Sequence, residues 1–236
     1  MNERGMIKEK SEHTNIINGI LCALGGAVCT YGSLDVDHDK LLGVSWWISG
    51  SKLFFITNMS LVISLVAFVL AGITYKRKND GFKKACRELM VCMLSAEVLI
   101  MLVFWPIFWA CPAAVFPRAL REGPQRVGML ANICMHGLPA VLLLGTYIMD
   151  ACLAPPGKLG MGCYVAFVTG LSMSFYKIRG FWRYRILSKF STYLLVLIPF
   201  ILFVAGCLIA KALHQLKLKV RRSRAFRKHI LRTARI

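Results

Sequence analysis

Six stretches nearly free of charge dominate the chain: residues 15–34, 53–74, 89–111, 127–149, 159–176 and 190–210. A helix rises about 1.5 Å per residue, so each stretch is on the order of the length needed to cross a hydrocarbon core about 30 Å thick. Transmembrane β-strands give short alternating segments instead, and these runs do not alternate. The expected fold is therefore all-α, a polytopic transmembrane helical bundle with six spans. Composition excludes the soluble alternative: 57% of residues are hydrophobic and 17% charged, with a mean hydropathy of +0.59, whereas soluble domains carry about a quarter charged residues.

The first stretch follows a mixed-charge start (Glu3, Glu9, Glu12) and exceeds a secretory apolar region of about 7 to 15 residues, so it is expected to be a retained span. Its Gly19, Ala23 and Ala27, four apart, offer a face for close helix approach. The fifth stretch is short and carries Gly160, Gly162 and Gly170.

Thirty Lys and Arg stand against 11 Asp and Glu, a net charge of +19. In a soluble chain that excess would point to nucleic acid. Here it falls in loops and tails, and no nucleic-acid partner is expected. With six spans, 20 basic residues lie on the side of both termini and 10 on the other, so both termini are expected to be cytoplasmic. Trp46, Trp47, Trp105, Trp109 and Trp182 all fall in or near the opposite loops, as an interfacial aromatic belt would. The organisation is then a cytoplasmic N-terminus (1–14), a membrane domain (15–210) and a basic cytoplasmic tail (211–236). In the tail Leu213, Leu216, Val220, Phe226 and Ile230 recur at helical spacing. It reads either as an amphipathic helix on the anionic cytoplasmic leaflet or as a solvated anchor. Membrane lipids, anionic cytoplasmic-leaflet lipid among them, are expected partners. The sequence specifies no protein partner, and no sorting signal separates endoplasmic reticulum from plasma membrane.

Of nine cysteines, Cys22, Cys29, Cys92, Cys134, Cys163 and Cys207 lie inside apolar stretches and no CxxC pair occurs. They read as packing residues rather than a disulfide framework. Cys86, Cys111 and Cys152 sit at stretch edges, as plain interfacial cysteines or as palmitoylation sites.

Ionisable side chains within a bilayer are costly and mark function or specific packing. Glu97 and His136 qualify, and His136 is the histidine placed at depth. An imidazole there either bonds between helices or serves as a base that activates a hydroxyl to attack an ester carbonyl. His136 lies about 13 Å below the start of its stretch and Thr57 about 6 Å below its own. Ser60 and Thr30 meet the same depth criterion, so depth does not choose the nucleophile. No metal site is expected: the run Asp35, Asp37, His38, Asp39 lacks the glycine turn and terminal glutamate of a calcium loop, and Cys134 and His136 have no second ligand pair. No GxSxG elbow, P-loop or HExxH occurs, and no cofactor is implied.

The segments VFWPIFWACPAAVFP (103–117), LANICMHGLP (130–139) and GFWRYRIL (180–187), in this order and spacing, resemble the androgen-induced-gene / androgen-dependent TFPI-regulating protein family. The resemblance covers residue 53 to the end of the sixth stretch. It rests on Phe104, Trp105 and Pro117; Asn132, Met135 and His136; and Gly180, Trp182 and Tyr184. It implies a six-span transmembrane threonine hydrolase of fatty acid esters of hydroxy fatty acids, a lipid ester substrate and an intramembrane Thr–His pair. KLFFIT places the nucleophile at Thr57, and the Met-His run places the base at His136. Asn132, four residues before His136, shares its helix face and is expected to orient the ring. Asn58 and Asn132 are the candidate oxyanion donors. Cys111, Pro112 and Ala113 stand where the family has Asp-Arg-Glu, Arg185 where it has proline, and Thr146 about where it has an acidic residue. Two other readings stay open. One is a small multi-span transporter using Glu97 and His136, with Pro106, Pro139 and Pro199 breaking helices around a cavity. The other is a non-catalytic lipid-binding membrane protein.

Overall fold

A computed structural model of the chain describes residues 3–34, 56–74, 80–112, 128–150, 158–179 and 192–233. They form α1 (Glu3–Leu34), α2 (Ile56–Thr74), α3 (Asp80–Ala110), α4 (Met129–His136), α5 (Leu138–Met149), α6 (Leu159–Arg179) and α7 (Thr192–Thr233). Pro117, Cys152, Trp46, Trp47, Trp182, the acidic run 35–39 and the segment 180–187 lie outside the described residues.

The all-α expectation holds, and each apolar stretch maps onto one helix, or onto the pair α4 and α5. Among the described residues, five segments are long and apolar enough to cross a membrane: Asn15–Ser33, Ile56–Thr74, Asp80–Ala110, Met129–Met149 and Leu197–Ser223. The apolar part of α6, Leu159–Ser174, is shorter, as its glycines led one to expect. Large apolar side chains such as Ile16, Leu24, Val69, Val141, Phe200 and Leu208 face outward. Water would not tolerate so much exposed hydrocarbon, and lipid does. This is an integral membrane protein.

Hydrophobicity marks the spans but not the helix ends. α3 starts nine residues before its apolar stretch, with Asp80 in the first turn, where a carboxylate opposes the positive end of the helix dipole. α7 runs through the boundary expected at Lys211 without a break, and Leu213, His214 and Lys217 beyond it are buried. At least this part of the basic segment packs on the bundle rather than lying apart from it.

The chain packs as alternating antiparallel neighbours. On α1, Asn18, Cys22, Gly25, Cys29 and Gly32 form the buried stripe at steps of four and three. A Cβ on Gly25 would lie 2.3 Å from the Phe68 ring of α2, whereas one on Gly19 would meet nothing within 4 Å. The close face is thus one position round from the expected Gly19, Ala23, Ala27 face, whose residues are exposed. The main core joins α1, α2, α3 and α5 through Leu61, Phe68, Met93, Leu94 and Leu143, and a smaller cluster of Cys92, Met161 and Val165 ties α6 to α3 beside Phe203 of α7. Cys22, Cys29, Cys92 and Cys134 are buried as packing residues; Cys163 is exposed and Cys207 half-buried. Cys86, read as an edge residue, is buried as well.

Candidate active site

The fourth span is broken directly after His136. Pro139 has no N–H and its ring clashes with the carbonyl four residues back, so the ladder of α4 cannot run on into α5. Gly137 takes up the bend at φ −145°, ψ −59°. In lipid a freed backbone carbonyl must find another donor. The indole Nε1 of Trp105 supplies one, donating to the His136 carbonyl at 3.1 Å. A Cβ on Gly137 would stand 3.8 Å from that indole nitrogen, an ordinary contact, so the hydrogen bond does not itself require glycine there.

The same stretch of α3 fixes the imidazole. Phe104 lies parallel to the His136 ring, with centroids 3.5 Å apart and planes 14° apart. Phe108 stacks on Phe104 at 5.4 Å, and Trp105 meets Phe104 edge-on at 5.3 Å. An aromatic wall, and not an amide, therefore sets the ring orientation. Asn132 and His136 are both buried, yet Asn132 Oδ1 and His136 Nδ1 have no hydrogen-bond partner among the described residues. The expected Asn132–His136 hydrogen bond does not form.

α1 closes the site from another side. A Cβ on Gly32 would sit 3.2 Å from Met135 Cγ and 3.3 Å from the Cys134 carbonyl, so a larger residue would push α1 off α4.

α2 brings the hydroxyls. It packs against α1, α3 and α4 and runs parallel to α4, so Thr57 at its start stands at the same end of the bundle as α4. Thr57 is half-buried and Asn58 buried. Thr57, Ser60 and Ser64 follow at steps of three and four, one stripe down the helix. Ser60 hydrogen-bonds the Tyr164 hydroxyl of α6, and Ser64 donates to Glu97 Oε1 at 2.9 Å. Ser60, Ser64 and Glu97 are all fully buried. Ser60 is engaged, and Thr30 is exposed and donates to the Gly26 carbonyl of its own helix at 2.8 Å. Thr57 has no hydrogen bond to a described residue.

Sequence reasoning missed a second polar cluster at the opposite end. Asp150, just past α5, forms an ion pair with Arg87 Nε at 3.2 Å and accepts from Lys217 Nζ at 3.5 Å, and Arg221 donates to its backbone carbonyl. Lys217 is 1% exposed and lies 4.1 Å over the Tyr147 ring, whose hydroxyl meets His214 Nδ1 at 3.3 Å. His136 is thus not alone in burial. The available signal was the i, i+3, i+4, i+7 spacing of Ala210, Leu213, His214 and Lys217, which continues the packed face of the last span toward Arg221. Thr146, aligned with the family's acidic residue, instead donates to its own helix at Leu142.

A shallow apolar groove of about 480 Å³ lies between α6 and α7, lined by Gly162, Val165, Gly170, Pro199 and Phe203. It offers no chemistry beyond the Thr169 hydroxyl. Neither a curated protein nor a solved structure matches the chain. The broken fourth span with its Asn-x-x-Met-His run, packed on the Phe-Trp of the third, falls inside residues 20–218, which match the family described as FAR-17a/AIG1-like protein, and the chain belongs to that family.

Proposed function

We propose that the protein is an intramembrane hydrolase of lipid esters, with fatty acid esters of hydroxy fatty acids as substrates, Thr57 as nucleophile and His136 as general base. The observation that carries this reading is the pair of buried polar atoms, His136 Nδ1 and Asn132 Oδ1, without a hydrogen-bond partner among the described residues, beside a break in a membrane helix. Leaving such a group unpaired costs about 1–3 kcal/mol, a cost understandable where a ligand is to be met. The Thr57 hydroxyl, which has no hydrogen bond to a described residue, and the resemblance at both positions support the same pair.

In this mechanism His136 takes the Thr57 proton as the threonine oxygen attacks the ester carbonyl. Collapse of the tetrahedral oxyanion expels the hydroxy fatty acid oxygen, which receives that proton from His136. Water then attacks the acyl-threonine, giving a proton to His136, and the released threonine oxygen takes it back. The products are a fatty acid and a hydroxy fatty acid. Asn58 and Asn132 are the proposed oxyanion donors, through their side-chain amides. The proposed topology has both termini cytoplasmic, in endoplasmic reticulum or plasma membrane, which turns the Thr57 end outward or to the lumen. Glycosylation acceptors engineered into residues 35–39 should then be modified and those in 75–88 should not, and the reverse pattern would overturn it.

The test of function is turnover of a fatty acid ester of a hydroxy fatty acid by the purified, full-length protein and by Thr57→Ala and His136→Ala variants that remain folded. Activity surviving both substitutions would reject the site. No turnover of any lipid ester by the wild type would favour transport or lipid binding, for which the buried Ser64–Glu97 pair is the feature to pursue.

A further inference from the structure

A serine hydroxyl inside a membrane helix has a default partner, the carbonyl one turn back on its own helix. Ser33, Ser95 and Ser172 take it, donating to the carbonyls of Cys29, Val91 and Val168. Ser64 does not. Its hydroxyl leaves α2 and donates to Glu97 Oε1 of α3 at 2.9 Å. Glu97 is 1% exposed, and Ser64 supplies the one hydrogen bond that its carboxyl has among the described residues. In hydrocarbon no water competes for such a bond, so it holds two helices to one mutual orientation.

The register of that bond carries through to the site. Thr57 lies seven residues before Ser64 on α2, and Phe104 lies seven after Glu97 on α3. Seven residues fall about 20° short of two full turns, so Thr57 and Phe104 stand on the same helix faces that Ser64 and Glu97 hold together. α2 and α3 are packed antiparallel neighbours, and both steps therefore lead toward the same end of the bundle, each by a rise of about 10 Å. Phe104 is the platform of the His136 ring, with centroids 3.5 Å apart.

We propose that Ser64 and Glu97 are positioning residues of the hydrolase: their hydrogen bond fixes the rotation and register of α2 against α3 so that the Thr57 hydroxyl faces the imidazole seated on Phe104. Glu97 acts as a hydrogen-bond acceptor and not as a proton carrier. The proposal rests on Thr57 and His136 being the reacting pair, but the placement it asserts can be read without turnover.

One readout is turnover of a fatty acid ester of a hydroxy fatty acid by the purified full-length protein. Misplacing a reacting group by about 1 Å can cost on the order of 10²-fold, so Ser64→Ala and Glu97→Leu should each lower kcat about ten- to a hundredfold with KM little changed. Glu97→Gln, whose side-chain carbonyl still accepts from Ser64, should keep kcat near that of the wild type. So should Ser95→Ala, which removes an equally buried hydroxyl bonded within its own helix. Equal losses in Ser64→Ala and Ser95→Ala would overturn the proposal in favour of general packing. A Glu97→Gln as impaired as Glu97→Leu would overturn it in favour of a proton that the chemistry takes from Glu97.

The other readout is proximity. In a full-length Thr57→Cys/His136→Cys variant, a short thiol-reactive cross-linker should join the two positions, as mapped by peptide mass. Adding Ser64→Ala should lower that yield severalfold, and adding Glu97→Gln should not. A yield indifferent to Ser64, or no cross-link between the two positions, would overturn the proposal. A Ser64-dependent cross-link in a protein that turns over no lipid ester would uphold the placement and reject the hydrolase reading, so the two fail separately. Should Ser64→Ala not fold, Ser64→Cys, a weaker donor of similar size, replaces it in both readouts.

Discussion

At the Asp150 end, two cations meet the carboxylate at 3.2 and 3.5 Å and a third meets its carbonyl. At the His136 end, an imidazole nitrogen and an amide oxygen are buried with no described partner, and the ring rests on the face of Phe104. The first arrangement resembles a structural lock: α3, α5 and α7 are tied through one residue, and removing Asp150 would strand the buried charge of Lys217. The second satisfies shape without satisfying polarity among the described residues, so the substrate proposed above would enter it without displacing a described hydrogen bond. On the proposed function, stability and chemistry are separated along the bundle, and substitutions at the two ends should separate in the same way.

The largest effect is expected at the His136 end, on rate alone. Thr57→Ala should abolish nearly all ester turnover, and His136→Ala should cost on the order of 10²–10⁴-fold. The double variant should lose little more than Thr57→Ala, because nucleophile and base act as one unit. The melting temperatures should stay near that of the wild type. A large fall in stability with Thr57→Ala would break the comparison.

Asp150→Ala should do the reverse, destabilising the protein by about 3–5 kcal/mol, because it leaves Lys217 buried beside other cations. Thermal unfolding in detergent would register this. Lys217→Met should cost much less, since Arg87 still partners Asp150. Equal losses would mean that packing, and not charge pairing, holds this end.

Midway between the ends, Gly25→Ala tests helix approach. Its new Cβ would stand 2.3 Å from the Phe68 ring, so the helices must part, at about 1–3 kcal/mol. Gly19→Ala, with open space around it, should be neutral. The smallest effect sharpens the His136 end. Trp105→Phe removes the donor to the His136 carbonyl and should cost about 1 kcal/mol of stability, with turnover falling because the break that orients the ring loses its brace.

The spans were legible in the sequence because lipid imposes one rule on every residue of a crossing segment. The helix ends were not, because α3 and α7 continue into charged sequence whose helicity rests on packing. His214 and Lys217 carry no hydropathy signal, and their burial follows from what α3 and α5 place beside them. Within the site, His136 stood out as an ionisable residue at depth, and Pro139 signalled a possible break. Phe104 as the ring's platform and the Ser60–Tyr164 bond depend on contacts between helices 104 residues apart or fewer in sequence, which a single sequence does not encode as spacing. The offset on α1 has the same origin: Gly19 and Gly25 look equivalent until Phe68 selects one of them.

The central claim, that Thr57 is a nucleophile activated at the His136 end, is tested most directly by treating the purified protein with a fluorophosphonate that reacts with activated hydroxyls and mapping the adduct by peptide mass. The account predicts an adduct on Thr57 that is absent from Thr57→Ala and strongly reduced in His136→Ala. An adduct on Ser60 or any other hydroxyl, or labelling of Thr57 undiminished by loss of His136, would contradict it.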